Sequence, residues 1–321
     1  MNCFEQAERW REKGYFKKAK HLYLKSLKQN SFWEDPIIFL ESCLDLVGVL
    51  RALSQTREAW IWCAKGKQYT RGRSFEKYRL YFEVEEALLL RAEGAYHKSL
   101  AQLSALFRKS SSNLSLKAFL LWALGGTLRF LGRFGESKRV FEHSRALSKK
   151  IRDPVGEGYA FSGLGGVSRM QGSLQRSISC YCAALRAFEK TQDLFGRAYA
   201  HCGLANGLRQ KGVWDSAMVH YRKAWRLYSQ IEDPVDLAYV AWGLGKVLEK
   251  KTKLLSAAKW LEKSRHIFNV NREVRGEILS EMALAGVWHA LGKTGKAERI
   301  FQQGYRRAVR HKLHTHLEIF T

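Results

Sequence analysis

Six arginines occupy one position of a recurring pattern: Arg11, Arg51, Arg91, Arg129, Arg169 and Arg209, forty residues apart except for one step of 38. A guanidinium keeps its charge and presents its donors as a planar fork, so a row of them suits carboxylates or phosphates strung along an extended ligand. At helical spacing each arginine closes a stripe that begins ten residues earlier, for example Tyr159, Ser162, Gly166 and Arg169, or Tyr199, Cys202, Asn206 and Arg209. The stripe before Arg129 holds Phe119, Trp122 and Gly126, and that before Arg91 holds Tyr81, Val84 and Leu88. Its rings offer stacking faces, while Gly126, Gly166 and the Asn206 amide leave room for a ligand backbone. The row ends at Glu249 and His289, where Tyr239, Trp242 and Lys246 change the surface.

Other reactive residue types form no constellation. No phosphate-binding GxxxxGK[ST] loop, GxSxG elbow, HExxH or CxxC occurs, and the GLGG at Gly163 falls inside a helical register. His311, His314 and His316 have metal-ligand chemistry but sit in a basic segment that reads as solvated. Cys180 and Cys182, two apart on a helix, diverge, and Cys202 lies on the stripe. No catalytic residue, metal or cofactor is assigned, and the chain reads as non-enzymatic.

The scaffold behind the arginines is all-α. Of 321 residues, 46% are hydrophobic, enough for a core, and three Pro against 26 Gly favour helices joined by glycine turns. A turn residue recurs at Gly14, Ser54, Gly94, Gly132, Gly172, Gly212, Thr252 and Gly292. Leu124, Leu164, Leu204, Leu244 and Leu284 each precede Gly or Ala, which lets two helices approach closely. After each turn the series Ser137, Ser177, Ala217, Ala257, Ala297 and then Phe141, Tyr181, Tyr221, Leu261, Phe301 mark the apolar face of a second helix. Asp153, Asp193 and Asp233 stand where they would cap the next first helix, two of them followed by Pro. Ser54 and Thr252 replace glycine, and a different turn is expected there.

This pattern resembles the tetratricopeptide repeat family along essentially the whole chain, most strongly in LWALGGTLRFLGRFGES, FSGLGGVSRMQGSLQRS and HCGLANGLRQKGVWDSA. Its forty-residue period is similar to that of G-protein-modulator scaffolds, kinesin light chains and bacterial peptide-receptor phosphatase regulators. The resemblance implies a single right-handed α-solenoid over 1–321, with units near 1–34, 35–74, 75–113, 114–152, 153–192, 193–232, 233–272 and 273–311 and a short tail 312–321. The first helices then line a concave wall. The last unit lacks a full polar capping helix, which points to self-association or a partner at that end.

Fifty-five Lys and Arg against 30 Asp and Glu give a formal charge of +25, so a negatively charged partner is expected. With an inner row of arginines, the reading is a scaffold or adaptor whose basic groove holds an extended acidic segment of a partner protein. A plainer account of the row stays open: an arginine three residues before the turn complements the helix dipole, and rings early in a helix pack on the preceding unit. The other basic residues sit on second helices, and nucleic-acid binding by groove and outer surface is the alternative. The opening residues carry charges and no apolar run long enough to span a membrane, and the cysteines lack a disulfide framework, so a cytoplasmic or nuclear protein is expected.

Overall fold

The computed structural model describes residues 2–110 and 113–311. They form an α-solenoid of eight helical hairpins with no strand among the described residues: α1 Cys3–Glu12 and α2 Phe16–Gln29; α3 Pro36–Ala52 and α4 Thr56–Gln68; α5 Glu76–Ala92 and α6 Tyr96–Lys109; α7 Leu114–Phe130 and α8 Phe134–Lys150; α9 Pro154–Met170 and α10 Leu174–Phe188; α11 Leu194–Gln210 and α12 Trp214–Gln230; α13 Pro234–Lys250 and α14 Leu254–Val270; α15 Val274–Ala290 and α16 Thr294–Arg310. Two compact units share the chain, one of residues 1–167 with 186–196, the other of residues 168–185 with 197–321.

Local chemistry sets the hairpins. Four first helices start on an aspartate cap: Asp35 accepts from the Ile38 amide at 2.9 Å, Asp153 from Gly156 at 2.9 Å, Asp193 from Gly196 at 2.7 Å and Asp233 from Asp236 at 3.0 Å. Each first helix ends in a Schellman turn around a left-handed residue. In hairpin 1 the Gly14 amide donates to the Arg11 carbonyl and Tyr15 to Trp10. Ser54 and Thr252 adopt the same left-handed backbone, φ 59° and 58°, and the same bonds to Arg51, Leu50, Glu249 and Leu248. The different turn expected there is absent, because the two paired carbonyls and the packing on both sides fix the geometry whichever residue occupies it.

Between helices, small residues meet rings. A Cβ on Gly125 or Gly163 would lie under 3.0 Å from the Phe141 ring, and one on Gly203 or Gly243 equally close to Tyr181 or Tyr221. Phe141 and Tyr181 are 2% and 3% exposed. One contact departs from this nearest-neighbour plan. Within the first unit the turn at Gly14 packs on Phe195, and the Phe16 and Phe195 rings meet edge-on at 5.3 Å.

Candidate functional site

The six arginines share one place: the second-last residue of a first helix, where each backbone carbonyl accepts from the left-handed turn residue. Their side chains meet different surroundings. Arg11 binds Glu8 at 2.6 Å, donates to the Tyr23 hydroxyl at 3.1 Å and stands 3.5 Å from Asp45 on the next hairpin. Arg51 pairs with Glu85 at 3.0 Å. Arg91 donates to the Ala123 carbonyl at 3.1 Å, with its guanidinium 5.4 Å from the centre of the Trp122 ring. Arg129 lies 5.4 Å from the Phe130 ring, and its Nε is buried without a hydrogen-bond partner. Arg169 is 8% exposed. Arg209 donates to the Tyr221 hydroxyl at 3.2 Å and lies 4.9 Å from Trp242.

One register position explains the split. The register position of Asp45 and Glu85, which meet Arg11 and Arg51, is filled by Ala123, Gly163, Gly203 and Gly243 in the following hairpins. Carboxylates there neutralise Arg11 and Arg51. Glycines there carry the rings of Phe141, Tyr181 and Tyr221 and offer no countercharge. Around Arg11 the charges are tightly linked. Burial pushes Asp45 up to about 7, with Arg11 opposing and the Glu8 charge adding to the rise. Burial raises Glu8 as well, but hydrogen bonds from Arg11, Tyr23 and Asp45 outweigh it and hold Glu8 below its ordinary value. The two carboxyls therefore titrate as a linked pair, with burial favouring the protonated form at Asp45.

Three cavities of the first unit adjoin one another. The first, about 520 Å³, is walled by Glu8, Glu41, Asp45 and Glu85 together with Lys77, Tyr78, Tyr81 and Phe119. Tyr78 donates to Glu41 at 3.0 Å. The second, about 230 Å³, shares Ser115 and Phe119 with the first and adds Trp122 and Tyr159. The third, about 780 Å³, shares Val155 and Tyr159 with the second and presents Arg9, Arg11, Lys13 and Lys190 against Glu12 and Asp193. Tyr159 donates to Asp193 at 2.9 Å, and burial raises that carboxyl despite the amide of Gly196. Taken in this order, the three neighbouring cavities have acidic, aromatic and basic walls. Arg11, Trp122 and Tyr159 from the sequence-derived set line these cavities, whereas Arg51 and Arg91 contact the lining residues Glu85 and Trp122 without lining a cavity themselves.

The remaining candidates lie elsewhere. Tyr221 donates to the Asn206 carbonyl at 2.5 Å, so that amide braces Tyr221. The room left by Gly126 is taken by Arg91, whose Nη1 would lie 2.8 Å from a Cβ there. Trp242 is 2% exposed and its indole donates to the Leu279 carbonyl at 3.3 Å. Lys246 pairs with Glu249 at 2.7 Å. Tyr239 packs edge-on against Phe268 at 4.7 Å, and burial with the Glu273 charge raises its phenol. Tyr199 is half-buried. Cys202 is half-buried with its thiol pushed up to about 12 by burial. His311 is exposed, and His314, His316 and the tail 312–321 lie outside the described residues. Among the described residues no group of three or more His, Cys, Asp or Glu could hold a metal ion, and no helix is long and apolar enough to cross a membrane. What sequence reasoning missed is the acidic cavity. Its signal was present, since Asp45 and Glu85 each follow an arginine of the row by 34 residues.

Comparison with solved structures agrees with the fold. A Rap protein complexed with Competence and Sporulation Factor superposes with a TM-score of 0.65 at 15% identity, over 84% of this chain and 76% of that one. The apo form of RapI gives 0.60 at 12% identity, over 84% and 77%. BtubC (BKLC) from P. vanneervenii gives 0.56 at 16% identity, over 68% and 90%. No protein-family model matches the chain, and no curated protein is significantly similar to it. The likeness is one of helical-repeat architecture.

Proposed function

We propose that this protein is a non-enzymatic scaffold or adaptor that holds an extended segment of a partner protein across the three neighbouring cavities of its first unit. The observation that carries this reading is the charge order across these cavities. Arg9, Lys13 and Lys190 outnumber Glu12 and Asp193 at one end, where Arg11 is already paired with Glu8 and Asp45, and this suits acidic side chains or a terminal carboxylate of the segment. Phe119, Trp122 and Tyr159 pack against its middle, and the end with Glu8, Glu41, Asp45 and Glu85 meets a cationic group. The expected acidic ligand thus becomes a segment with an acidic portion. The complex of a similarly folded Rap protein with Competence and Sporulation Factor is in keeping with a binding role. The arginine row contributes at Arg129, which lacks the carboxylate partners of Arg11 and Arg51.

The test begins by identifying copurifying protein by mass spectrometry and mapping its bound segment. A labelled peptide of that segment is then titrated against wild type and a Lys13→Glu/Lys190→Glu variant. Loss of binding by about tenfold or more with unchanged helicity is expected; undiminished binding removes the cavity from consideration. Arg129→Glu tests the row in the same way.

Nucleic-acid binding is supported by a separate observation. The second helices α12, α14 and α16 carry eleven Lys and Arg against three Asp and Glu, with Trp225 and Trp260 edge-on at 5.1 Å beneath Lys263. A salt-sensitive shift of a labelled oligonucleotide at about 0.15 M salt is the outcome that this reading requires.

A further inference from the structure

The outer side of α16 breaks the repeat's own rule. In the preceding hairpins the large residue nine positions after the left-handed turn is covered by the next first helix: Phe141 is 2% exposed, Tyr181 3%, Tyr221 0% and Leu261 0%. Phe301, at the same register, is 43% exposed, and one and two turns farther Tyr305 and Val309 are 50% and 48% exposed. The Phe301 and Tyr305 rings stack at 6.2 Å and 10°. The inward side of α16 is already satisfied by Ala297, Gly304 and Ala308. This helix therefore has a second apolar stripe with nothing described against it, bordered by exposed Arg299, Arg306 and Arg310, and its one carboxylate is Glu298.

We propose that the outer face of α16 docks one helix of a partner protein, which adds to the array as a ninth first helix. Its chemistry follows from the inner hairpins and from charge. Rings at the Phe301 register sit on Gly203 and Gly243 where those helices cross, so the docking helix carries Gly or Ala opposite Phe301. Carboxylates on its flanks face the arginine border. A second copy of this chain fits poorly. Two α16 faces would bring their arginines together, and the open face of α1 carries Asn2, Glu5, Arg9 and Glu12, with no small or apolar stripe. This surface is independent of the cavity in the first unit, and either reading can fail alone.

The probe is a lactam-bridged, fluorescein-labelled helix copying residues 273–291 of this chain, which places Ala283 over Phe301 and carries Glu277 and Glu281. Titrated with the full chain, it is expected to bind saturably, more weakly as salt rises. Binding should fall about tenfold or more in Phe301→Glu/Tyr305→Glu, whose exposed positions leave helicity intact, and with Ala283→Leu in the probe. Absence of saturable binding, or binding indifferent to the α16 variant, overturns the proposal. So does a chain ending at His311 that binds the probe more than about tenfold tighter, since the face then belongs to residues 312–321. A wild-type molar mass that doubles with concentration and is lost in the α16 variant assigns the face to a second copy and overturns it equally.

Discussion

Hairpins 1 and 6 contain the same three-residue cluster with one exchange. Arg11 contacts Glu8 and Tyr23, and Arg209 contacts Tyr221, which in turn binds Asn206. In hairpin 1 a carboxylate occupies the position three before the arginine, and a second one, Asp45, arrives from the next hairpin. In hairpin 6 an amide replaces the first and Gly243 the second, and the guanidinium lies over the Trp242 ring. One recurring arginine thus serves two ends. Among carboxylates it is part of the packing, and among neutral groups it is a source of positive potential.

The largest effect is expected from forcing hairpin 6 to copy hairpin 1. Gly243→Asp supplies the missing countercharge, but its Cβ meets the Tyr221 ring at under 3.0 Å; a loss of about 3 kcal/mol in denaturant unfolding is expected. A neutral outcome would show that ring and carboxylate can share the site. Next comes the inequality of the arginines. Arg11→Ala leaves Glu8 and Asp45 without their cation and should cost about 2 kcal/mol after allowance for partial exposure, against about 1 kcal/mol for Arg209→Ala. Equal midpoint shifts in urea would erase the distinction drawn between the hairpins.

A pH series sharpens it further. An unfolded Asp titrates at about 3.9, and folded Asp45 near 7, so the folded state binds its proton more tightly. The contribution of Asp45 is therefore fully present below the unfolded value and is lost as pH rises from about 4 to about 7. The difference between wild type and Asp45→Asn should show that slope, and a flat difference would show that Asp45 is not raised in the folded protein. The smallest effect concerns the turns. Thr252→Gly relieves a β-branched residue at φ 58° and should stabilise by about 1 kcal/mol, with Ser54→Gly gaining less; calorimetric midpoints report both.

Features that a hairpin makes with itself or its neighbour were legible in the sequence. The turn register, the Asp caps and the Leu-small pairs repeat because each depends on backbone geometry that recurs every forty residues. Side-chain partners of the arginines were less legible, since a periodic row invites one role for all its members. The reason for their difference lies in a second register, Asp45 and Glu85 giving way to Gly163, Gly203 and Gly243, which becomes meaningful only once adjacent first helices are known to face each other. The contact of Gly14 and Phe16 with Phe195 was not legible at all, because nothing in a nearest-neighbour pattern specifies where a non-neighbour will land.

That last contact sets a timetable. Most packing in the array becomes available as soon as the following helix leaves the ribosome, yet the surface of hairpin 1 around Phe16 waits for a residue 179 positions later. At about 5–20 residues per second that delay is roughly ten to forty seconds. During it a newly made chain displays an aromatic surface that the finished protein hides, and the first unit reaches its final form only when synthesis has passed the start of α11.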